Sequence, residues 1–242
     1  MSGALVARGC FVAGTDTEVG KTAVSTALLH LLGADGSRTA GCKPVAAGTV
    51  MRDGLCFNED VRALRDASSL DLRDAEVGPC QLTAACAPHI AAALEGRSID
   101  REALRRAVGA LARRAEWLVV EGIGGFRVLL GRGWDTADLA CDLGLPVILV
   151  VGLRLGCLNH AILTADAIAG RGLRLTGWVA NAVDKAMPQR DANVAALVER
   201  LAAPCLGVVP QLAPPTPSAV AAHLDAAAVR ACLNPLPSPG VV

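Results

Sequence analysis

Gly14-Thr15-Asp16-Thr17-Glu18-Val19-Gly20-Lys21-Thr22 is the stretch that decides the fold. It is a complete phosphate-binding loop, G-x-x-x-x-G-K-T, with the flanks the motif needs. The apolar run Cys10-Phe11-Val12-Ala13 leads in as a strand, and Ala23 to Leu32 leads out with helical spacing of its apolar residues. The two glycines let backbone N–H groups turn inward around phosphate oxygens, and the helix N-terminus adds a positive dipole end. Lys21 can then reach the terminal phosphates, and the Thr22 hydroxyl can ligate Mg²⁺. The rival reading, a Gly-rich turn with a surface lysine, is weaker because motif and flanks both match. The chain is expected to bind a nucleoside triphosphate.

Outward from the loop, strand-like and helical runs alternate. Arg38 to Val45 reads as a second strand ending at Lys43-Pro44, and Asp60 to Leu64 as the start of a short helix. Pro88 to Leu94 and Ile99 to Arg114 read as helices, and Trp117 to Val120 as a buried strand stopping at Glu121-Gly122. Helices are expected over Thr136 to Leu143, Ile162 to Ala169 and Arg190 to Leu201. Strands are expected over Pro146 to Val151, Leu173 to Val179 and Cys205 to Val209. The tail from Pro214 is rich in Pro and Ala, with one helix expected from Ser218 to Leu233. This alternation predicts a single-domain α/β fold, a doubly wound and mostly parallel sheet. Ligands of such sheets sit at the carboxyl ends of the strands, where Lys43, Glu121, Gly152 and Asn181 all fall.

Composition agrees. Of 242 residues 52% are apolar, with no Tyr, three Phe and three Trp. A core of small aliphatics suits a parallel sheet covered on both faces. Twenty-three basic and 23 acidic residues cancel and no basic block occurs, so nucleic acid is not an expected partner. The longest apolar run, Leu145 to Leu153, is about half a membrane span and is broken by Pro146 and Gly152. The first dozen residues lack a signal-peptide layout. A cytoplasmic protein with no membrane partner is expected. The nine cysteines are odd in number and form no C-x-x-C pair, so all but Cys157 read as small buried hydrophobes.

Three residues outside the loop can carry chemistry. Glu121, after a strand and before Gly122-Ile123-Gly124-Gly125, stands where a carboxylate commonly orients Mg²⁺. Asp60 reads equally as a metal ligand or a helix N-cap, a job Asn58 could share. Lys43 reads equally as a solvated lysine or as a cation neutralising charge beside the phosphate site. His89, after Pro88 at a helix start, reads as a satisfied histidine.

Together the segments resemble one family. G-T-D-T-E-V-G-K-T (Gly14 to Thr22), K-P-V-A-A-G (Lys43 to Gly48) and V-V-E-G-I-G-G (Val119 to Gly125) are followed by P-V-I-L-V-V-G-L-R-L-G-C-L-N-H (Pro146 to His160) and G-W-V-A-N (Gly177 to Asn181). In this order, over residues 10 to about 210, they are similar to the ATP-dependent dethiobiotin synthetases. The resemblance implies a homodimeric ligase that makes dethiobiotin from 7,8-diaminopelargonic acid, CO₂ and Mg-ATP. It implies that Lys21 and Lys43 are catalytic and that Thr22, Asp60 and Glu121 surround the metal. Thr15, Asp16, Glu18, Val19, Gly20, Lys21, Thr22 and Ala23 would wrap the triphosphate. Asn181 would hydrogen-bond the adenine, under a turn formed by Gly207, Val208, Val209 and Pro210. Thr17, Lys43, Ala47 and Gly124 would meet the diamine or its carbamate, and Gly156, Cys157 and Asn159 would hold the substrate carboxylate of the neighbouring subunit. Two departures stand out. Ala47 replaces a family serine, leaving a hydroxyl contact to a water or to Thr49, and Gly125-Phe126-Arg127-Val128 differs from the usual versions.

Two other classes share the loop. Chromosome-partitioning switch ATPases carry a second lysine where this chain has Thr15. Amidotransferase-type ligases of cobyrinic acid synthesis need a further glutaminase domain, for which 242 residues leave no room.

Overall fold

The computed structural model describes residues 8–52 and 54–233. The first segment of the chain and the residues past 233 in the Pro-rich tail therefore lie outside the described residues. The strand β1 (Arg8–Gly14) has no charged side chain after Arg8 and is buried from Gly9 onward. It leads through the phosphate loop into α1 (Lys21–Gly33) and β2 (Thr39–Cys42). Next come β3 (Val45–Ala47), β4 (Val50–Arg52), β5 (Leu55–Phe57), α2 (Glu59–Ala67), α3 (Asp74–Val77) and β6 (Cys80–Leu82). The helices α4 (Pro88–Leu94) and α5 (Arg101–Ala112) precede β7 (Trp117–Glu121), β8 (Leu129–Gly131), β9 (Trp134–Asp135) and α6 (Thr136–Leu143). The second half holds β10 (Val147–Leu153), α7 (Cys157–Gly170), β11 (Leu175–Ala182), α8 (Arg190–Arg200), β12 (Cys205–Val209), α9 (Pro217–Ala221) and α10 (Ala226–Leu233).

Six strands form one sheet in the order β12-β11-β10-β1-β7-β2, and every pairing in it is parallel. β7 and β10 are buried at every position, as strands covered on both faces must be. The register sets the site. Gly14 stands opposite Val150, Val12 opposite Glu121, and Asn181 opposite both Gly152 and Val209. The phosphate loop, Glu121, Gly152 and Asn181 thus share the carboxyl edge of the sheet.

Three expectations change. The second strand ends at Cys42, before Lys43-Pro44: the Lys43 N–H leaves the ladder for the Val77 carbonyl (2.8 Å), and Pro44 has no N–H to extend it. Val45–Ala47 pairs instead with Cys80–Leu82 in a separate two-stranded sheet. The helix expected from Ile162 begins at Cys157, with Gly156 as N-cap at φ 94°. The single tail helix is two, because Leu224 bridges Gly207 of β12 and the Asp225 N–H bonds the Leu206 carbonyl (2.8 Å). The tail matters for the site: Arg230 Nη2 donates to the carbonyls of Leu31 (2.8 Å) and Leu32 (3.3 Å), capping the far end of α1.

Candidate active site

The loop from Thr15 to Gly20 is held in shape by contacts to the neighbouring strands β10 and β11. The Thr15 N–H donates to Val150 O (3.0 Å), and Asn181 Nδ2 donates to Val19 O (2.9 Å). Glu18 has φ 59°, an uncommon conformation for a residue with a Cβ. Gly20 is obligatory, since a Cβ there would lie 2.1 Å from Asn181 Nδ2 at a φ of 88°. Gly20 opens α1 with no side-chain cap, so the first-turn N–H groups stay available to an anion. Lys21, 6% exposed, folds back over the loop and donates from Nζ to Asp16 O (2.9 Å).

Next to it, four elements converge on one cluster. Thr22 Oγ1 lies 2.8 Å from Asp60 Oδ1 and 2.9 Å from Glu121 Oε1. Lys43, 4% exposed, donates to the same Glu121 oxygen (2.6 Å) and pairs with Asp60 Oδ2 (2.7 Å). Burial works against the Lys43 charge, but Glu121 and Asp60 outweigh it and hold the ammonium above its ordinary range. Burial likewise raises Asp60, yet Lys43, Thr22 and Lys21 bring its carboxyl below the usual carboxylate range. Asp60 is not the helix cap; Asn58 is, accepting from the Val61 N–H (3.1 Å). The solvated reading of Lys43 does not fit a side chain so enclosed.

These residues fit a hard divalent ion. The second Glu121 oxygen, Oε2, is buried and has no hydrogen-bond partner. Such an orphan is costly unless something binds it. One hydroxyl and two carboxylates are also the oxygen set that Mg²⁺ takes when phosphates complete its shell. Among the described residues no group of three His, Cys, Asp or Glu could hold a metal unaided.

A cavity of about 380 Å³ brings Thr17, Glu18, Lys21 and Thr22 together with Lys43, Ala47, Asp60, Glu121 and Gly124. Ala47 thus faces it without a hydroxyl, and Thr49 bonds Cys56 Sγ (3.2 Å) instead of lining it. Phe126 is packed in the core and Arg127 pairs with Asp135, so the unusual Gly125–Val128 stretch stays out of the cavity. Asn181 and Val209 sit farther along the edge. The expected turn at Gly207–Pro210 is strand as far as Val209, with a Cβ on Gly207 only 2.1 Å from the His223 carbonyl oxygen. Val19 and Val209 are buried, so either would contact a nucleotide through backbone alone. An apolar hollow of about 400 Å³ adjoins Thr22 and Ala23, walled by Ala63, Ala67, Pro215 and Pro217.

Gly156, Cys157 and Asn159 lie apart from the cavity, at the first turn of α7. Cys10, Cys42 and Cys80 are buried as expected, but so is Cys157, at 1% exposed, whereas Cys56 and Cys86 are exposed. Helix α7 needs a small apolar side chain at its first turn, and the β4–β5 hairpin and the 83–87 loop offer no core to bury one. His89 is the satisfied histidine expected, 3.3 Å from Leu129 O. Arg154, for which no motif gives a role, pairs with Asp16 in the loop. Its position just past β10, on the edge shared by Lys43 and Glu121, was the available signal.

A family model described as an AAA domain matches residues 8–219. Among solved structures, a chain of the MinC:MinD cell division complex of Aquifex aeolicus gives a TM-score of 0.57 at 15% identity, covering 96% of this chain and 98% of that one. A ParA family ATPase of Chlorobium tepidum gives 0.57 at 12%, covering 96% and 99%. The Pyrococcus horikoshii septum site-determining protein MinD, complexed with Mg-ADP, gives 0.53 at 18%, covering 92% and 89%. These likenesses are of fold, and with the loop they define a phosphate-loop nucleotide-binding α/β protein. Sequence narrows the class. The ATP-dependent dethiobiotin synthetase BioD of Janthinobacterium sp. (strain Marseille) is 55% identical over 89% of this chain and 93% of its own length. Those of Aromatoleum aromaticum and Ralstonia nicotianae are 54% and 51% identical, over 90% and 92% of this chain and 96% and 97% of their own. The chain belongs to the ATP-dependent dethiobiotin synthetase family, and the switch-ATPase alternative is set aside.

Burial, with Lys43 nearby, lowers the Lys21 ammonium to about 8 against the pull of Glu121, Asp60 and Asp16. A triphosphate favours the charged form, so binding takes up a proton wherever free Lys21 is neutral. ATP affinity is expected to be level below about pH 8 and to fall by up to about tenfold per pH unit above it. Calorimetric titrations in buffers of different ionisation enthalpy measure the affinity and the proton uptake together. Affinity that stays level well above that pH contradicts the assignment.

Proposed function

We propose that this protein converts 7,8-diaminopelargonate, CO₂ and Mg-ATP to dethiobiotin, ADP and phosphate, acting as one catalytic unit in the cytoplasm. The observation that carries the reading is the pair of buried lysines, Lys21 and Lys43, flanking a Thr22–Asp60–Glu121 oxygen cluster in one cavity. The reaction begins with two anions brought together, and only such a concentration of positive charge makes that approach affordable.

A substrate amine takes up CO₂ as a carbamate. A carbamate oxygen attacks the γ-phosphorus, the bond to the β–γ bridging oxygen breaks, and ADP leaves. The second amine then attacks the carbonyl carbon of the mixed anhydride. Phosphate departs, a proton is lost, and the cyclic urea closes. Lys21 would neutralise charge at the transferred phosphoryl group. Lys43, held by Glu121 and Asp60, would face the carbamate, with Thr17 and Gly124 as the adjoining wall. Thr22, Asp60 and the free Oε2 of Glu121 would hold Mg²⁺, whose Lewis acidity screens the phosphate oxygens. Lys43 can remain on Oε1 while Oε2 is used, so the two cations need not compete for one lone pair.

The aliphatic chain and carboxylate of the substrate need a second anchor. The uncapped first turn of α7 at Gly156–Asn159 offers backbone N–H groups to an anion. It is flanked by Leu155 and Leu163, which are 92% and 60% exposed. A second copy covering these leucines would bring that turn to its neighbour's site, so activity would require the homodimer.

Purified protein is expected to form dethiobiotin only when the diamine, bicarbonate and Mg-ATP are all present. ATP hydrolysis independent of the diamine and bicarbonate contradicts this. Folded Lys21→Ala should lose at least about a hundredfold in turnover, as removal of a preorganised cation at a transferring group does. Retention of a tenth of wild-type turnover would sink the assignment. Mixing Lys21→Ala with Asn159→Ala should restore part of the activity, because some mixed dimers hold one intact site. If the mixed dimers form but remain as inactive as their parents, the α7 turn does not serve the neighbour.

A further inference from the structure

The end of β10 and the residue just past it meet the phosphate loop. The Gly152 N–H reaches Thr15 Oγ1 (3.4 Å). The Gly152 Cα lies against Val19, where a Cβ would be 2.8 Å from a valine methyl. Just beyond the strand, Arg154 pairs with the Asp16 carboxylate. Asp16 is the hub of the loop. One carboxylate oxygen takes Arg154, the other accepts the Thr17 N–H (2.7 Å), and its carbonyl accepts Lys21 Nζ (2.9 Å). On its other side the Arg154 carbonyl accepts the Cys157 N–H (3.0 Å), where α7 begins.

Arg154 does not line the cavity that holds Lys21, Thr22 and Lys43. Its side chain is 38% exposed and that of Asp16 47%, and ion pairs so open to water contribute little to stability. The pair has a consequence for the site nonetheless. Without the guanidinium, the Asp16 carboxylate would be free to swing, carrying Thr17 with it. It would also present an uncompensated negative charge beside the place where a triphosphate binds.

We propose that Arg154 is a positioning residue: through Asp16 it fixes Thr17 and Lys21 at the cavity and cancels a like charge at the anion site. The chemistry it supports is the reaction under Proposed function, on which the inference rests. Four full-length variants test it: Arg154→Met, Arg154→Lys, Asp16→Asn, and the double Arg154→Met/Asp16→Asn. Arg154→Met is expected to lower kcat/KM, and ATP affinity measured by calorimetry, by about tenfold, with an unfolding midpoint close to that of the wild type. Arg154→Lys should recover most of the loss. The double variant should be no worse than the poorer single one, since both remove one interaction. Additive losses would mean that Arg154 acts on substrate or nucleotide directly and would overturn the proposal. So would an unchanged Arg154→Met, or one whose loss follows a large drop in stability. A wild-type protein forming no dethiobiotin would refute the functional reading alone, because the same cycle read as ATP affinity still decides the role of Arg154.

Discussion

A lysine ammonium with almost no access to water is held between two carboxylates, and the site is arranged around it. Lys43 comes from the end of β2, Glu121 from the end of β7, Asp60 from the first turn of α2 and Thr22 from the first turn of α1. Burying Glu121, which is 0% exposed, would be prohibitive without a cation within hydrogen-bond distance. Lys43 supplies that cation in the free protein, and its own desolvation is offset by two acidic partners rather than one. The arrangement is a poor route to stability compared with an apolar core of the same volume. On the proposed function its advantage would be chemical, since charges that an approaching triphosphate would meet are already aligned in a medium where they act strongly.

The same cluster explains why the chain leaves its sheet where it does. β2 ends at Cys42 because the Lys43 N–H is taken up by the Val77 carbonyl and Pro44 has no N–H to offer the ladder, which leaves the Lys43 side chain enclosed at the carboxyl edge of the sheet. The sheet beyond, built from β3 and β6, carries Ala47 to the lining of the cavity. At the other end of α1, Arg230 of α10 holds the last-turn carbonyls, so the helix that presents Lys21 and Thr22 is tied at both ends.

Much of this was legible in the sequence because the signals are local. The loop from Gly14 to Thr22 carries its own strand and helix, and Trp117 to Val120 and Pro146 to Val151 are apolar throughout, as fully buried parallel strands must be. Helix boundaries such as Pro88 to Leu94 were readable from the proline at the first position. What was not legible depends on partners distant in the chain. Whether Asp60 caps a helix or faces Lys43 depends on which side of α2 meets β2, which no local spacing states. The exposure of Cys56 and Cys86 and the enclosure of Cys157 likewise follow from what packs above each residue. The break in the tail helix is set by Leu224 finding an edge at Gly207, a long-range pairing that overrides the helical preference of an Ala-rich segment.

In the free protein, Lys43 supplies the positive charge that Glu121 and Asp60 require. Unfolding of Lys43→Met by urea, with and without Mg²⁺ and in the absence of nucleotide, tests it most directly. Removing one partner of a buried ion pair should cost about 3 kcal/mol or more. Mg²⁺ alone should restore part of that loss, whereas it should change the wild-type protein little, because Lys43 already balances the carboxylates. A Lys43→Met protein as stable as the wild type, or one indifferent to Mg²⁺, would contradict the account.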